Sequence, residues 1–194
     1  MKYQSNDFGG ILLQLESGNI VVNGGGTLVE MEDSYIVDGK TPLAMIVTCE
    51  HHQRSHNADR FCLKYDVPLI TTHLCAERLL LEGIKTHLLS VSESRLFVKY
   101  GFGISLIPVR YDSVDPFCLT VQDGENQIGV VPDGKIFPSM AKYLFDCDTV
   151  ILENRLHIPD NASSAFARRL KSVYNTQSEL DGIFKKYNGE IVYI

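Results

Sequence analysis

Two apolar runs open the chain, Gly10-Ile11-Leu12-Leu13-Gln14-Leu15 and Asn19-Ile20-Val21-Val22, joined by Glu16-Ser17-Gly18, and this spacing predicts a β-hairpin. Gly24-Gly25-Gly26 follows, a loop in which the backbone turns sharply or is closely approached. No G-K-[ST] comes after it, so it is read as a strand-end turn and not as a phosphate loop. Leu43 to Thr48 is a short continuous apolar segment, the pattern of a strand covered on both faces. Ser55 is placed to cap a helix reaching about Tyr65, with Ala58, Phe61, Cys62 and Tyr65 at helical spacing. Val67 to Thr71 reads as the next strand, and Cys75 to Gly83 as a short helix closed by glycine.

The second half changes rhythm. Hairpin-like strands are expected at Leu96–Val98, Ile104–Val109, Phe117–Val121 and Ile128–Val131, with Asp123-Gly124 as a turn. A helix near Pro138–Phe145 leads to a strand at Thr149–Glu153. Helices at Ala162–Tyr174 and Ser178–Tyr187 precede a closing strand at Glu190–Ile194. Strands in both halves, with helices between and after them, indicate an α/β domain of layered sheets spanning residues 1–194.

Composition narrows the function classes. A net charge of −6 argues against general electrostatic binding to nucleic acid, which calls for a basic face. No window has the length of a bilayer span, and Met1-Lys2-Tyr3-Gln4-Ser5 lacks the apolar core of a secretory signal. No membrane association and a cytoplasmic location are therefore expected. The five cysteines, Cys49, Cys62, Cys75, Cys118 and Cys147, are odd in number and include no C-x-x-C pair. Free buried thiols are the expected outcome. There is no G-x-S-x-G elbow for a serine nucleophile.

The densest chemistry lies in Ile46 to Phe61, "IVTCEHHQRSHNADRF". Together with "ESGNIVVNGGG", "KYDVPLITTHLCAERL", "SLIPVRYDSVDPFCLTV", "IGVVPDG", "TVILENRLH" and "ARRLKSVYNTQSEL", taken in order, it resembles the metallo-β-lactamase-fold phosphodiesterases. The likeness is to the compact group of cyclic-phosphate and cyclic-nucleotide phosphodiesterases and relatives of tRNA 3′-processing nucleases (tRNase Z-like). That resemblance implies a four-layer αββα sandwich, a dinuclear zinc site and, frequently, a homodimer. "IVTCEHHQR" stands where the family has T-H-x-H-x-D-H, "IPVRYD" where it has P-V-x-H-D, and "VPDG" where it has T-D-x-G. Asn23 stands where Asp is usual.

Carried across residue by residue, the first motif His falls on Cys49 and the second on His51. The motif Asp falls on Gln53 and its last His on Arg54. The later His falls on Arg110, the bridging Asp on Asp133 and the final His on about Asn175. Arg stays protonated in a protein and cannot ligate zinc, and Gln and Asn are weak neutral ligands. The expectation is a degenerate site with no cofactor, in a non-hydrolytic protein that binds a protein partner, its own copies or a nucleotide-like anion. Arg54 and Arg110 are expected to converge on the former metal pocket, pairing with Asp133 in place of zinc or holding an anion such as phosphate. The alternative is an active metal-dependent phosphodiesterase with a reduced zinc site of Cys49, His51, His56 and Asp133. His52 and His56 are four apart and would share a face of an early helix. Glu50 and Glu153 read as surface or pocket-rim acids, not general bases, and Arg168-Arg169-Leu170-Lys171 as the solvated face of a helix.

Overall fold

The computed structural model describes all residues except 82, 154–157 and 159–161. Strands β1 (Lys2–Ser5), β2 (Ile11–Gln14), β3 (Asn19–Val22), β4 (Ala44–Ile46), β5 (Leu69–Thr72) and β6 (Thr86–Leu89) form one sheet in chain order. Strands β7 (Ser94–Phe97), β8 (Phe102–Pro108), β9 (Phe117–Asp123), β10 (Asn126–Val131), β11 (Thr149–Leu152) and β12 (Glu190–Tyr193) form the second. Each sheet begins as an antiparallel meander and ends in parallel strands. The meanders need only turns, whereas most of the parallel links are long enough to hold helices. The helices are α1 (Leu28–Tyr35), α2 (His52–Ser55), α3 (Ala58–Tyr65), α4 (His73–Leu79), α5 (Pro138–Ala141), α6 (Ser164–Val173) and α7 (Gln177–Ile183).

The two-residue period of the strands sets the layers. Ile11, Leu13, Ile20 and Val22 pack with Phe102, Ile104, Leu119, Val121, Val130 and Ile151 of the other sheet, forming the inter-sheet core. Leu12 and Val21 point the opposite way, onto Met31 and Tyr35 of α1 and Phe61 of α3. On the far side Cys118, Val131, Val150 and Leu152 meet Leu144, Leu180 and Phe184. The order is helix, sheet, sheet, helix, as the family resemblance implies.

Several local expectations are corrected. The helix expected from Ser55 to Tyr65 is broken into α2 and α3 by Asn57, which takes a left-handed φ of 57°. Ser55 caps neither piece; its hydroxyl donates to the carbonyls of Glu50 and His51 at 3.2 and 3.1 Å. α4 stops at Leu79 with Leu80 left-handed, ahead of the expected glycine stop at Gly83, and residue 82 lies outside the described residues. Three elements have no strong apolar period. α1 is signalled instead by a capping box, Thr27 with Glu30, and the edge strands β1 and β6 are exposed or half-buried except for Leu89. Among the described residues no helix is long and apolar enough to cross a membrane.

Ile151 is fully buried between the sheets, whereas Leu96 is 67% exposed on β7. Ile151→Ala is expected to cost about 2–5 kcal/mol in urea unfolding and Leu96→Ser less than about 0.5 kcal/mol. Equal losses at the two positions would contradict this layering.

Candidate functional site

The site is built where β3 and β4 end side by side. Asn23 follows β3 with φ 64°, a conformation Asn tolerates better than most residues. Its Oδ1 accepts from both the backbone N–H and the hydroxyl of Thr48, each at 3.0 Å, which orders the chain leaving β4. Its Nδ2 is buried and makes no hydrogen bond among the described residues. An Asp at this position would leave no such donor.

The triple glycine does more than turn the chain. Gly24 N–H donates to the Arg54 carbonyl at 2.8 Å. A Cβ on Gly25, whose φ is 62°, would stand 1.9 Å from the Gln53 carbonyl oxygen. The glycines thus let α2 dock directly on the β3 loop, and this sets the direction in which Arg54 leaves the backbone.

From there the Arg54 side chain runs into the interior and is 1% exposed. Its Nε pairs with Asp133 and its Nη2 with Glu153. Nη1 donates to the Gly9 carbonyl at 2.8 Å and Nη2 also donates to the Pro132 carbonyl at 3.0 Å. Burial works against the guanidinium's charge, but Asp133 and Glu153 outweigh it and hold the group protonated beyond its ordinary range. Removing an ion from water costs several kcal/mol, offset only when partners and geometry are good. Here four acceptors meet one planar donor fork.

Two phenols close the site. Tyr174 O–H donates to Asp133 Oδ1 at 3.2 Å, and the Tyr111 and Tyr174 hydroxyls are 3.1 Å apart. With its proton given to Asp133, Tyr174 accepts from Tyr111. Burial, then the Asp133 charge, push Tyr174 up to about 12 and Tyr111 higher still, so both remain donors. His51 packs edge-on against Tyr111 with ring centroids 5.0 Å apart. Its Nε2 lies 3.1 Å from the Asp112 carbonyl, a partner that can only accept, so this nitrogen carries the proton. Glu50 takes hydrogen bonds from the Ser113 hydroxyl and the Val114 N–H, and Asp112 pairs with Arg169. The segment from Tyr111 to Val114 is thereby strapped over the site. The cavity beside Glu153, Tyr174 and Asn175 measures about 20 Å³, room for one water.

Of the positions taken from the sequence, Cys49, His51, Arg54 and Asp133 come together, and Gln53 is exposed. Arg110 does not join them. It is exposed, and Tyr111 beside it turns inward; a one-residue slip along extended chain reverses the face a side chain presents. In "PVRYD" the position matching His in P-V-x-H-D is Tyr111, so the assignment to Arg110 is corrected. The same slip applies at the last position. Tyr174 reaches Asp133, while the Asn175 amide brackets the backbone of Ile136 at 2.8 and 3.0 Å. Glu153, read as a rim acid, is a partner of the buried arginine. The stretch "TVILENRLH" continues beyond it into residues 154–157, outside the described residues. Arg169, expected on a solvated face, is paired with Asp112.

A zinc ion does not fit this arrangement. Asp133 is committed to a guanidinium and a phenol, Nε2 of His51 to a carbonyl, and His56 stacks on His52 with centroids 4.1 Å apart. Burial first, and the Asp133 charge second, push the Cys49 thiol up to about 12, away from the thiolate a metal requires. Among the described residues no three His, Cys, Asp or Glu side chains gather to hold a metal ion. Arg54 is no better placed to hold an added anion, since its donors face protein oxygens.

No protein-family model and no curated protein sequence matches the chain. Solved structures do match. The metallo-β-lactamase-fold protein YhfI from Bacillus subtilis superposes with TM-score 0.67 at 14% identity, over 95% of this chain and 88% of that one. Zinc-bound PqqB from Methylobacterium extorquens gives 0.71 at 11% identity, over 95% and 75%. The short form of human tRNase Z gives 0.69 at 12% identity, over 95% and 84%. The chain has the metallo-β-lactamase fold.

All five thiols are buried, and burial pushes Cys49, Cys62, Cys118 and Cys147 up to about 12 and Cys75 to about 11, from an ordinary 9.0. Above pH 9 the unfolded chain therefore releases thiol protons that the folded chain retains. Stability is fully present below that pH and falls as the pH rises through the interval, by about 1.4 kcal/mol per pH unit for each thiol. Urea midpoints under reducing conditions are expected to drop between pH 8 and pH 10 (chosen to bracket the thiol range); unchanged midpoints would show that the thiols are not buried as described.

Proposed function

We propose that this metallo-β-lactamase-fold chain is a catalytically degenerate, non-hydrolytic member of its fold, in which the Arg54 guanidinium stands in for the metal cation. The observation that supports it most is the buried ion triad of Arg54, Asp133 and Glu153. The carboxylate that corresponds to the metal-bridging Asp in the family motif keeps a cationic partner, but one without an open coordination position. A bound metal supplies hydrolysis by lowering the pKa of a water in such a position. A guanidinium has no empty orbital to do so, and Tyr111 and Tyr174 fill the approach. The work left to the chain is binding, of a protein partner, of a second copy or of a nucleotide-like anion.

The distant relatives are consistent with loss from a hydrolytic plan. One similar structure is described as a diphosphatase of the PhnP family, at 15% identity, and another as the human tRNase Z above, at 12%. Two changes at this site bear on hydrolysis most directly. Arg54 falls where the family motif has a ligating His, and Tyr111 and Tyr174 occupy the ground of two more. The rival arrangement, zinc on Cys49, His51, His56 and Asp133, would require releasing the triad, freeing Nε2 of His51 and unstacking His56 from His52.

Untagged protein produced with zinc, manganese and iron in the medium is expected to carry far less than one metal ion per chain by elemental mass spectrometry. It is also expected to leave bis(4-nitrophenyl) phosphate uncleaved above background when zinc or manganese is added. One metal per chain that disappears in His51→Ala, together with hydrolysis, would overturn the proposal in favour of an active phosphodiesterase.

A further inference from the structure

Arg110, absent from the buried site, has a setting of its own. It faces Lys135 across an isolated antiparallel bridge, closed by hydrogen bonds Arg110 N–H to Lys135 carbonyl at 3.0 Å and the reverse at 2.8 Å. Directly opposed residues of an antiparallel pair present their side chains on the same face, and like charges so placed repel. Only one of the two cations is compensated. Lys135 Nζ pairs with Glu179 at 2.7 Å, whereas Arg110 makes no ion pair among the described residues. The bridge therefore leaves one net positive charge.

Both cations line one cleft of about 500 Å³, together with Phe137, Pro138, Ile183, Ser178 and Glu179, the partner of Lys135. That volume lies within the range of small-molecule sites, and one charged edge against an apolar floor is how such sites orient a ligand. The cleft is separated from the buried triad by the wall that carries Tyr174 and Asn175. Asn175 holds that wall to Ile136, the residue after Lys135.

We propose that this cleft binds a small phosphate monoester carried on a flat apolar body. The phosphate would sit on Arg110 and Lys135, and the body on Phe137 and Pro138. A phosphate supplies the counter-charge that Arg110 lacks, with Lys135 shared between it and Glu179, and the Arg fork matches its oxygens. The proposal rests on the chain being a non-hydrolytic binder and names the ligand class it would take. It also places that ligand outside the ancestral metal pocket.

The probes are phenyl phosphate, inorganic phosphate and phenol, titrated calorimetrically at low salt into wild type and Arg110→Gln. Phenyl phosphate is expected to bind more tightly than inorganic phosphate, with no binding by phenol, and Arg110→Gln is expected to weaken phenyl phosphate about tenfold or more. Added salt should weaken wild type more than the variant. Arg110 is exposed and makes no ion pair among the described residues, so the variant is expected to melt as wild type does, and a lost affinity is not a lost fold. No binding of phenyl phosphate at about 1 mM, or affinities within about twofold in the two proteins, would overturn the proposal. Phenol release during the titration would count against the non-hydrolytic reading, while the Arg110→Gln comparison would still decide the cleft.

Discussion

One planar cation joins parts of the chain that are otherwise far apart in sequence. Arg54 leaves a four-residue helix at the end of the first sheet and meets Asp133 after β10, Glu153 after β11, the Pro132 carbonyl and the Gly9 carbonyl before β2. Both sheets and the N-terminal loop thus close on a single guanidinium. A metal ion at the mouth of a two-sheet sandwich imposes the same constraint, drawing ligands from loops of both sheets to one point. Arginine at this point draws the loops onto one cation that offers no open coordination position, and it is shared by two carboxylates. The tyrosines, the strap from Tyr111 to Val114 and the protonated Nε2 of His51 all follow from a centre that is closed.

Chemistry and stability are coupled at this point. Two buried carboxylates at the meeting of two sheets would repel each other and lose solvation without a cation. Metal-binding members of the fold meet that need with the ion that performs their chemistry. In this chain a side chain of the sequence itself, Arg54, supplies the cation. On the reading proposed above, binding falls to the surface, where Arg110 and Lys135 face each other beside a partly apolar cleft.

Much of this was legible in the residues. The hairpin of β2 and β3, the order of strands and the free buried cysteines follow from apolar alternation, turn residues and the absence of paired cysteines. The resemblance to the family motif directs attention to Cys49, Arg54 and Asp133, which the fold brings together. Other features resist that approach for physical reasons. Edge strands such as β1 bury too little to impose a period, and α1 is announced by its cap, not by its face. Asn57 breaks a helix through a left-handed backbone that Asn permits but does not demand. Arg110 against Tyr111, and Asn175 against Tyr174, each differ by one position, and in extended chain one position decides between cleft and core. Glu153 becomes a partner of Arg54 only across 99 residues of sequence, a distance no local pattern spans.

The most direct measurement is a double-mutant cycle on the centre itself, with Arg54→Met, Asp133→Leu and the pair, each unfolded in urea. Arg54→Met leaves Asp133 and Glu153 buried without their cation and is expected to cost about 3–5 kcal/mol, whereas Asp133→Leu leaves Arg54 with Glu153 alone and should cost less; the double variant should lose clearly less than the sum. A coupling of at least about 1.5 kcal/mol would establish that the arginine and the aspartate hold each other in the interior. Additive losses would mean that Arg54 does not occupy the place of the metal, and the account built on it would fall.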